Sequence, residues 1–377
     1  MDFARDERAE QFRLELRAFL DEHVTVDVIE RVHDTGTVHD WGLHKALAER
    51  GWLDRFGLGP AEYNVLVEEL ARTGTPADGW GTAELVAHTL QIAGTDAQRT
   101  DVVPRVLGGE ILVCLGYSEP DAGSDVASVA TRAVPDSDGS GDWIVNGQKM
   151  FTTMAHESAY VFLLTRTNLN VPKHRGLTLF LVPMDTTGIE VRAIETLGGE
   201  RTNITFYTDV RVPDSCRVGD VDGGWEVMKT ALAFERQAAA HGDASRMLDR
   251  AEAWARASGR IAEPDARRRL ARVALENEVG KLLSWRSSWL HGRGGLPVVE
   301  GSMAKLWASE SFRRTSADMI DLIGPTAVLQ HGEADAPADG WVEHAFRHSQ
   351  VMTIYAGTSE IQRSIIAERG LGLPRSR

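Results

Sequence analysis

The sequence has little cysteine, with only Cys114 and Cys216 among 377 residues. A disulfide framework and a cysteine-ligated metal site both need more cysteines at characteristic spacings, so neither is expected. Both thiols are predicted to be small buried or half-buried side chains, which suits a reducing cytoplasm. The histidines show no metal-ligand spacing either, and we predict no metal.

Long apolar runs and an excess of positive charge are also missing. No uninterrupted apolar stretch approaches the ~18 residues that a membrane span needs, and the first residues lack the basic flank and apolar core of a signal peptide. We therefore expect a soluble protein that does not use a membrane. The net charge is -14, which would repel nucleic-acid phosphates and argues against a nucleic-acid-binding function.

Two further patterns are absent. No Gly-x-Gly-x-x-Gly segment follows a predicted strand, so a Rossmann dinucleotide site is not expected. No repeat of fixed period is visible, which excludes a solenoid. The length of 377 residues with 42% apolar residues leaves room for two or three ordinary folded modules.

The chain up to residue 110 is predicted to be mostly helical. Phe12, Leu16, Phe19 and Leu20 follow one another at helical spacing, which indicates an amphipathic helix. Glycines after several later segments are typical helix ends. The predicted helices are 8–23, 41–50, 61–72 and 83–93.

Between residue 111 and about residue 212 the apolar period changes from helical to two. Short runs rich in β-branched and aromatic residues are separated by Gly, Pro, Asp and Asn, the pattern of strands and turns. This region is predicted to form a small antiparallel barrel or sandwich. The predicted strands are 131–134, 160–165, 177–183, 189–193 and 204–210.

The remainder is predicted to be a helical bundle with helices at 225 to about 256, 265–286, 302–323 and 358–368. The fold class is therefore α+β with several domains. An N-terminal helical domain covers 1–110, a middle β domain 111–222, and a C-terminal helical bundle 223–377. The long apolar faces of the bundle also favour oligomerisation.

Three segments carry the functional argument. Residues 115–126 form a polar loop, because Pro120 removes a donor and Gly123 admits positive φ; such a loop is more often an ordinary connection, but it is also suited to a polar ligand. Residues 143–153 read as strand, Asn146-Gly147 turn and strand, the pattern of a β-hairpin. The third segment, 354–363, has the sequence Ile-Tyr-Ala-Gly-Thr-Ser-Glu-Ile-Gln-Arg.

In this order the three segments resemble the acyl-CoA dehydrogenase family of flavoenzymes. Residues 198–213 and Gly223-Gly224-Trp225 extend the resemblance over nearly the whole chain. The resemblance implies an FAD cofactor, an acyl-CoA substrate and contacts carried over by position. Those to the flavin or the acyl-CoA are Leu115, Tyr117, Ser118, Gly123 and Ser124; those flanking the flavin ring are Phe151 and Thr153; those to the rest of FAD are Thr358 and Glu360.

The glutamate that serves most family members as catalytic base is absent from its usual place. Most members keep a glutamate just before the C-terminal Gly-Thr, where this chain has Ala356, so the base is elsewhere or the protein is inactive. Helical spacing places Glu235 among small apolar residues, and a desolvated carboxylate has a raised pKa that suits a general base. The isovaleryl-CoA and long-chain branches look similar in this respect. The alternative is that Glu235 and Arg236 form a solvated helix face.

Ala356 keeps a role that does not depend on its side chain. In the family its backbone N–H helps to polarise the thioester carbonyl. Ala356 is therefore predicted to be catalytic together with Glu235.

The resemblance is incomplete where family members contact the FAD of a neighbouring subunit. The Arg-x-x-Phe-Gly motif is replaced by residues 259–264, which contain no Phe-Gly, and the Gln-x-x-Gly-Gly stretch by 321–325. Together with 200–203, this pattern resembles actinobacterial acyl-CoA dehydrogenases for bulky or steroid side chains. Several of those are heterotetramers of two related chains.

Several alternatives remain open at this stage. The chain is predicted to be a catalytic acyl-CoA dehydrogenase, as a homo-oligomer or in a heterotetramer, with an electron-transfer flavoprotein as electron acceptor. It is otherwise a partner subunit with weak or no FAD binding, or a non-enzymatic assembly protein. The last alternative is a flavin monooxygenase of the same fold, which would have no use for Glu235.

Overall fold

The computed structural model describes residues 7–235, 242–293 and 297–375. Within these ranges the chain forms thirteen α-helices and eight β-strands. They pack as two compact units. The first unit comprises the described parts of Met1–Ile29, Leu58–Thr75 and Arg236–Arg377, and the second comprises Glu30–Gly57 and Pro76–Glu235. No helix in the described ranges is long and apolar enough to cross a membrane.

The N-terminal third is helical, as predicted. The helices at the four predicted positions are confirmed, although α6 begins five residues before the predicted start. Helix α2 was not predicted, although Val28 and Ile29 lie at helical spacing from Val32, and it buries none of its side chains. The helices are α1 (Glu7–His23), α2 (Val26–Thr35), α3 (Trp41–Glu49), α4 (Arg55–Leu58), α5 (Pro60–Thr73), α6 (Asp78–Ala93) and α7 (Val103–Leu107).

The middle of the chain is one mostly antiparallel sheet. Seven of the eight strands lie along the sheet in the order β6-β7-β3-β2-β4-β5-β8, and β1 pairs with β4 in parallel. Strand β2 also pairs with β4 in parallel, through Arg132 and Arg166. The strands are β1 (Val113–Gly116), β2 (Arg132–Pro135), β3 (Trp143–Lys149), β4 (Tyr160–Arg166), β5 (Leu177–Pro183), β6 (Ile189–Glu195), β7 (Arg201–Val212) and β8 (Arg217–Val218).

The predicted hairpin at Asn146-Gly147 is wrong. Strand β3 runs through both residues, and the register against β7 shifts between Val145 and Gly147, as in a β-bulge. A Cβ on Gly147 would lie 2.6 Å from Thr131 Oγ1, so glycine is needed for close strand approach rather than for a turn. Asn146 Nδ2 donates to Asp209 on the facing strand at 2.9 Å.

The last third is helical, as predicted. The predicted helix 225–256 corresponds to α8 and α9, and residues 236–241 between them lie outside the described residues. Helix α10 has Pro264 in its first turn, the position that suits proline. The helices are α8 (Gly224–Glu235), α9 (Gly242–Ala257), α10 (Pro264–Gly292), α11 (Val298–Ile323), α12 (Trp341–Met352) and α13 (Ser359–Ile365).

Each unit has its own apolar core. In the first unit α9, α10, α11 and α12 enclose residues such as Met247, Phe312 and Met319, each at most 2% exposed. In the second unit one face of the sheet packs on α6, α7 and α8, and the other face encloses a smaller core around Val145 and Phe180. The β-sheet therefore buries apolar residues on both faces, one against helices and one in the smaller core. Such layering is stable for a sheet.

A buried carboxylate joins α1 to α5 in the first unit. Glu69 is fully buried and accepts hydrogen bonds from Arg17 Nε at 2.9 Å, from Arg72 Nε at 2.9 Å and from Arg13 Nη1 at 2.5 Å. Burial alone would raise the pKa of Glu69, but the three guanidinium groups outweigh it and lower the pKa to about 2.

The Glu69 cluster predicts an acid-dependent stability. Because the folded-state pKa is below the ordinary value, Glu69 stabilises the fold above pH ~4.5, and this contribution is lost as pH falls toward 2. We expect the difference in unfolding free energy between the unaltered protein and Glu69→Gln to be constant from pH 7 to 5 and to shrink below it. Urea titrations at several pH values measure this. Glu10→Gln is the control, since Glu10 is more exposed and bonds Arg13 at only 3.4 Å; equal pH dependence for the two variants would contradict the prediction.

Candidate functional site

The polar loop of the second unit begins at the end of β1. Leu115 is half-buried in β1 opposite Phe162, and Tyr117 is buried immediately after the strand. Residues 119–122 close a tight turn in which the Glu119 and Ala122 backbones bond each other at 3.0 and 3.1 Å. Gly123 and Ser124 are exposed beyond this turn, and a Cβ on Gly123 would meet no atom within 4 Å. The loop therefore presents backbone and small groups next to open space.

A buried ion pair holds this loop to β3. Lys149 is fully buried, and its Nζ donates to Glu119 Oε1 at 2.7 Å and to the Tyr117 carbonyl at 3.1 Å. The Glu119 carboxylate also accepts the backbone N–H groups of Ala130 and Thr131 at 2.6 and 2.9 Å. Every contact of the pair thus lies within the loop or its immediate neighbours.

Burial disfavours the charged form of both groups in this pair, and their mutual attraction favours it. Burial lowers the pKa of Lys149 to about 8 against the opposing attraction of Glu119. Burial opposes ionisation of Glu119 too, but Lys149 and the Ala130 N–H outweigh it, and the pKa of the Glu119 carboxyl is lowered. The pair is therefore ionised at neutral pH.

The segment after β3 carries Phe151 and Thr153. Phe151 has φ 60°, an uncommon conformation for a residue with a side chain, and its ring is 61% exposed. The Met150 N–H donates to the Ser118 carbonyl at 2.9 Å, so this segment and the polar loop are neighbours. The structure thus brings the backbone next to Phe151 into contact with Ser118 of the polar loop.

Asn203 of β7 was missed as a support of this segment. The Thr152 N–H donates to the Asn203 carbonyl at 2.8 Å, and Asn203 Nδ2 donates to the Thr152 carbonyl at 3.0 Å. His156 Nδ1 lies 3.2 Å from the same Asn203 amide, and burial lowers the pKa of His156. The Thr202-Asn203 pair at a strand start was visible in the sequence, but only the fold shows what it contacts.

The C-terminal segment lies in the first unit between α12 and α13. Ala356 and Gly357 have φ of 51° and 82°. Lys305 Nζ donates to the Gly357 carbonyl at 2.7 Å, and Gln362 Nε2 donates to the Ala356 carbonyl at 2.9 Å. The Ala356 N–H itself has no hydrogen-bond acceptor within the described residues.

A cavity of about 540 Å³ opens beside this segment. Thr358 caps α13 by accepting the Ile361 N–H at 3.3 Å. Ser359 Oγ is buried and has no hydrogen-bond partner in the described part of the chain. The lining residues are Glu310, Arg313, Arg314, Thr353, Ile354, Thr358, Ser359 and Glu360.

Two arginines of this cavity were missed in the sequence. Arg314 Nη2 donates to Glu276 at 2.8 Å. The Arg313 guanidinium, by contrast, makes no hydrogen bond or ion pair with another described residue. A lone arginine beside an unpaired hydroxyl is suited to an anionic group. The Arg-Arg pair inside a helical pattern was the only sequence signal, and by itself it reads as a solvated helix face.

Glu235 is the last residue of α8, and its side chain lies outside the described residues. The helix before it is well packed, since Met228 and Ala231 are 1% and 0% exposed in the core of the second unit. Among the described residues no cluster of histidine, cysteine and acidic side chains suits a metal ion.

Three family models match nearly the entire chain. The acyl-CoA dehydrogenase N-terminal domain matches residues 6–110, the middle domain residues 114–210, and the C-terminal domain residues 222–371. The order of helical, β-sheet and helical regions described above is the fold of this class of oxidoreductases.

Individual relatives agree with the family models. Acyl-CoA dehydrogenase FadE26 of Mycobacterium tuberculosis is 33% identical over 97% of both chains, and acyl-CoA dehydrogenase IpdE1 of the same organism is 33% identical over 97% of this chain and 98% of its own. A solved structure described as Tcur3481-Tcur3483 steroid ACAD is 32% identical with a TM-score of 0.92 over both full chains. The ChsE4-ChsE5 complex from Mycobacterium tuberculosis is 30% identical with a TM-score of 0.90, again over both full chains.

The chain belongs to the acyl-CoA dehydrogenase family. It is an oxidoreductase that acts on acyl-CoA, in a family of flavoproteins.

Proposed function

We propose that this protein is an FAD-dependent dehydrogenase that converts an acyl-CoA thioester to the 2-enoyl-CoA. The proposal rests on one observation: a chain with the family fold carries two sets of groups suited to the cofactor. One set is the loop and the Phe151 segment of the second unit. The other is the cavity beside Thr358 in the first unit.

The residues of the cavity fit the phosphate part of FAD. Ser359 Oγ is buried without a partner, and the exposed Arg313 guanidinium is not paired with another described residue, so both are available to donate to a pyrophosphate oxygen. Thr358 and Glu360, to which the resemblance assigns contacts with FAD, line the same cavity. In the second unit the exposed Phe151 ring supplies apolar surface for a flavin ring.

The chain's own residues divide the reaction between them. Glu235 would take the α-proton of the acyl group, and the Ala356 N–H would donate to the thioester carbonyl and so stabilise the charge that develops there. When bound, FAD supplies the acceptor for the β-hydride. Lys149 and Glu119 hold the loop that carries Tyr117 and Ser118 in place.

Arg313 is predicted to hold the cofactor where the family's Arg-x-x-Phe-Gly motif is missing. We expect Arg313→Gln to weaken FAD binding about tenfold or more, because a charge-assisted hydrogen bond to phosphate is lost. Reconstitution of flavin-free protein with FAD, followed by fluorescence, measures the affinity.

The matched control is Arg314→Gln, which removes the neighbouring arginine that already pairs with Glu276. It should change the FAD affinity less than threefold, roughly within the spread of surface substitutions. Equal losses in both variants would show that general charge, not the position of Arg313, is responsible.

We also propose which chains assemble with this one. The similar Tcur3481-Tcur3483 and ChsE4-ChsE5 structures are named for two chains each. Because residues 259–264 lack the family's motif for a neighbour's FAD, we propose that a second related chain, or a second copy of this one, completes the cofactor site. Native mass spectrometry, with and without a co-expressed related chain, distinguishes the heteromer from the homomer. An electron-transfer flavoprotein is the proposed electron acceptor, and the cytoplasm the proposed location.

The visible absorption spectrum tests the proposed function directly. The purified protein should show a flavin spectrum that bleaches when an acyl-CoA of the right chain is added without oxygen. A panel from short linear to bulky polycyclic thioesters would identify the acyl group. A protein that takes up FAD but bleaches with none of them would contradict the dehydrogenase activity, whereas failure to take up FAD alone but success with a second chain would support the heteromeric form.

A further inference from the structure

A second cavity lies within the first unit, between α1, α5 and α9. It has a volume of about 460 Å³, and it shares no residue with the cavity beside Thr358. Nothing in the proposed dehydrogenase reaction uses it. Its lining residues are Leu20, Asp21, Val24, Arg72, Thr73, Arg246, Asp249 and Arg250. We refer to it as the α1–α5–α9 cavity.

The guanidinium of Arg246 is the most constrained group in this lining. Its Cζ lies 3.0 Å from the centre of the Trp341 ring at the start of α12. It also packs against the backbone of Gly74, where a Cβ would come within 2.0 Å of the guanidinium. Gly74 has φ +69° and ends α5. Glycine is therefore favoured here both by the left-handed backbone and by the lack of room for a Cβ. The aromatic ring and the glycine together hold a flat, cationic fork in one orientation.

Arg246 has no acceptor for its N–H groups among the described residues. Neither a hydrogen bond nor an ion pair joins it to another side chain there. Arg72, at the same cavity, contrasts with it because its Nε donates to Glu69 at 2.9 Å and its Nη1 to Asp249 at 3.4 Å.

The charge of Arg246 persists in spite of its surroundings. Burial lowers the pKa of Arg246 to about 9, with Asp243 opposing the shift and Arg250 adding to it. The group is therefore charged at neutral pH. A desolvated guanidinium whose donors are unsatisfied costs free energy, and an anion in the cavity would recover that cost.

The rest of the lining indicates which anion fits. The lining has three arginines and two aspartates, and so carries one positive charge in excess. Arg72 is already bonded to Glu69 and to Asp249. Asp21 and Asp249 would repel a dianion such as phosphate more strongly than a monoanion. Leu20 and Val24 supply apolar surface for a hydrocarbon chain.

We propose that the α1–α5–α9 cavity binds a carboxylate carried on a short hydrocarbon chain, with Arg246 as the bidentate anchor. The carboxylate comes either from a free small carboxylic acid or from the far end of a substrate's acyl group. The binding site itself does not depend on the proposed dehydrogenase activity, whereas its use for an acyl group does.

Binding of hexanoate to the purified full-length protein tests the site without any variant. Isothermal titration should show hexanoate binding, and hexanamide of the same shape should bind at least tenfold more weakly because it lacks the charge. Equal binding of the two, no hexanoate binding below about 10 mM, or tighter binding of inorganic phosphate would each overturn the proposal.

Variants then assign the binding to Arg246. Arg246→Gln and Arg246→Lys should each lower the hexanoate affinity about tenfold to a hundredfold, the lysine because it keeps the charge but loses the fork. Arg256→Gln, an exposed arginine of the same helix that pairs with Glu252, should leave the affinity unchanged. Unaltered hexanoate affinity in both folded Arg246 variants would overturn the role of Arg246.

Steady-state kinetics separate the two sources of the carboxylate. If the acyl group supplies it, the KM for an acyl-CoA with a terminal carboxylate should rise at least tenfold in Arg246→Gln, while the KM for the methyl-terminated acyl-CoA of equal length stays the same. If a free acid supplies it, hexanoate binds to the unaltered protein but neither KM changes. If the unaltered protein turns over no acyl-CoA, the proposed dehydrogenase function is contradicted. The hexanoate titration then still tests the site independently.

Discussion

Glu235→Gln is expected to reduce the rate of acyl-CoA dehydrogenation by about 10²- to 10⁴-fold. A glutamine has the same size as the glutamate but cannot accept the α-proton, and a positioned general base contributes a factor of this order. Binding of FAD should not change, because the chemistry and not the cofactor site is altered. Anaerobic stopped-flow bleaching of the flavin measures the step directly.

The control for this variant is Glu226→Gln on the same helix. Glu226 is exposed and pairs with Lys229, so its replacement should leave the rate within about twofold, as for most surface substitutions. A Glu235→Gln protein that bleaches within a few-fold of the normal rate would show that the base is another residue. The search would then turn to carboxylates of a partner chain.

Lys149→Met is expected to lower the free energy of unfolding by about 3–5 kcal/mol, because it leaves the buried Glu119 carboxylate without its counter-charge. Two backbone N–H groups still bond that carboxylate, so the loss belongs nearer the lower end. The loop at Tyr117 and Ser118 also loses an anchor, and FAD should bind more weakly. Urea unfolding and FAD titration provide the two measurements.

Lys173→Met is a matched control for Lys149→Met. Lys173 pairs with Asp125 on the same loop, but both side chains are more than half exposed, and such a pair contributes ~0–1 kcal/mol. The double variant Glu119→Gln with Lys149→Met should recover part of the loss, since no unpaired charge remains. If the single and double variants lose equal stability, the pair is not coupled and the explanation fails.

The conformation of Asn146-Gly147 depends on residues that are distant in the sequence. The dipeptide strongly predicts a hairpin when only its neighbours are considered. In the fold Gly147 serves the close approach of β3 to Thr131, and the strand continues. A glycine that permits a turn also permits a tight strand contact, and only the partner strand decides between them.

Arg313 and Ser359 show a similar limit for the candidate site. Ser359 lies inside a recognised motif, yet nothing in the motif indicates that its hydroxyl is buried without a partner. Arg313 is 46 positions earlier in the chain than Ser359, on α11, and no local pattern joins the two. The positions of Leu115, Tyr117, Phe151, Thr358 and Glu360 followed from the resemblance, and their roles stay predictions.

By itself the sequence determined the order of helical and β regions, the family, and the alanine at position 356 in place of the family's usual glutamate. These depend on local apolar periodicity and on short motifs, which act over a few residues along the chain. The tertiary structure decided the partners of Lys149, the bulge in β3, and the position of the Arg246 guanidinium between Trp341 and Gly74. Those features join residues that are far apart in sequence, and their energies arise from burial and contact geometry that exist only once the chain is folded.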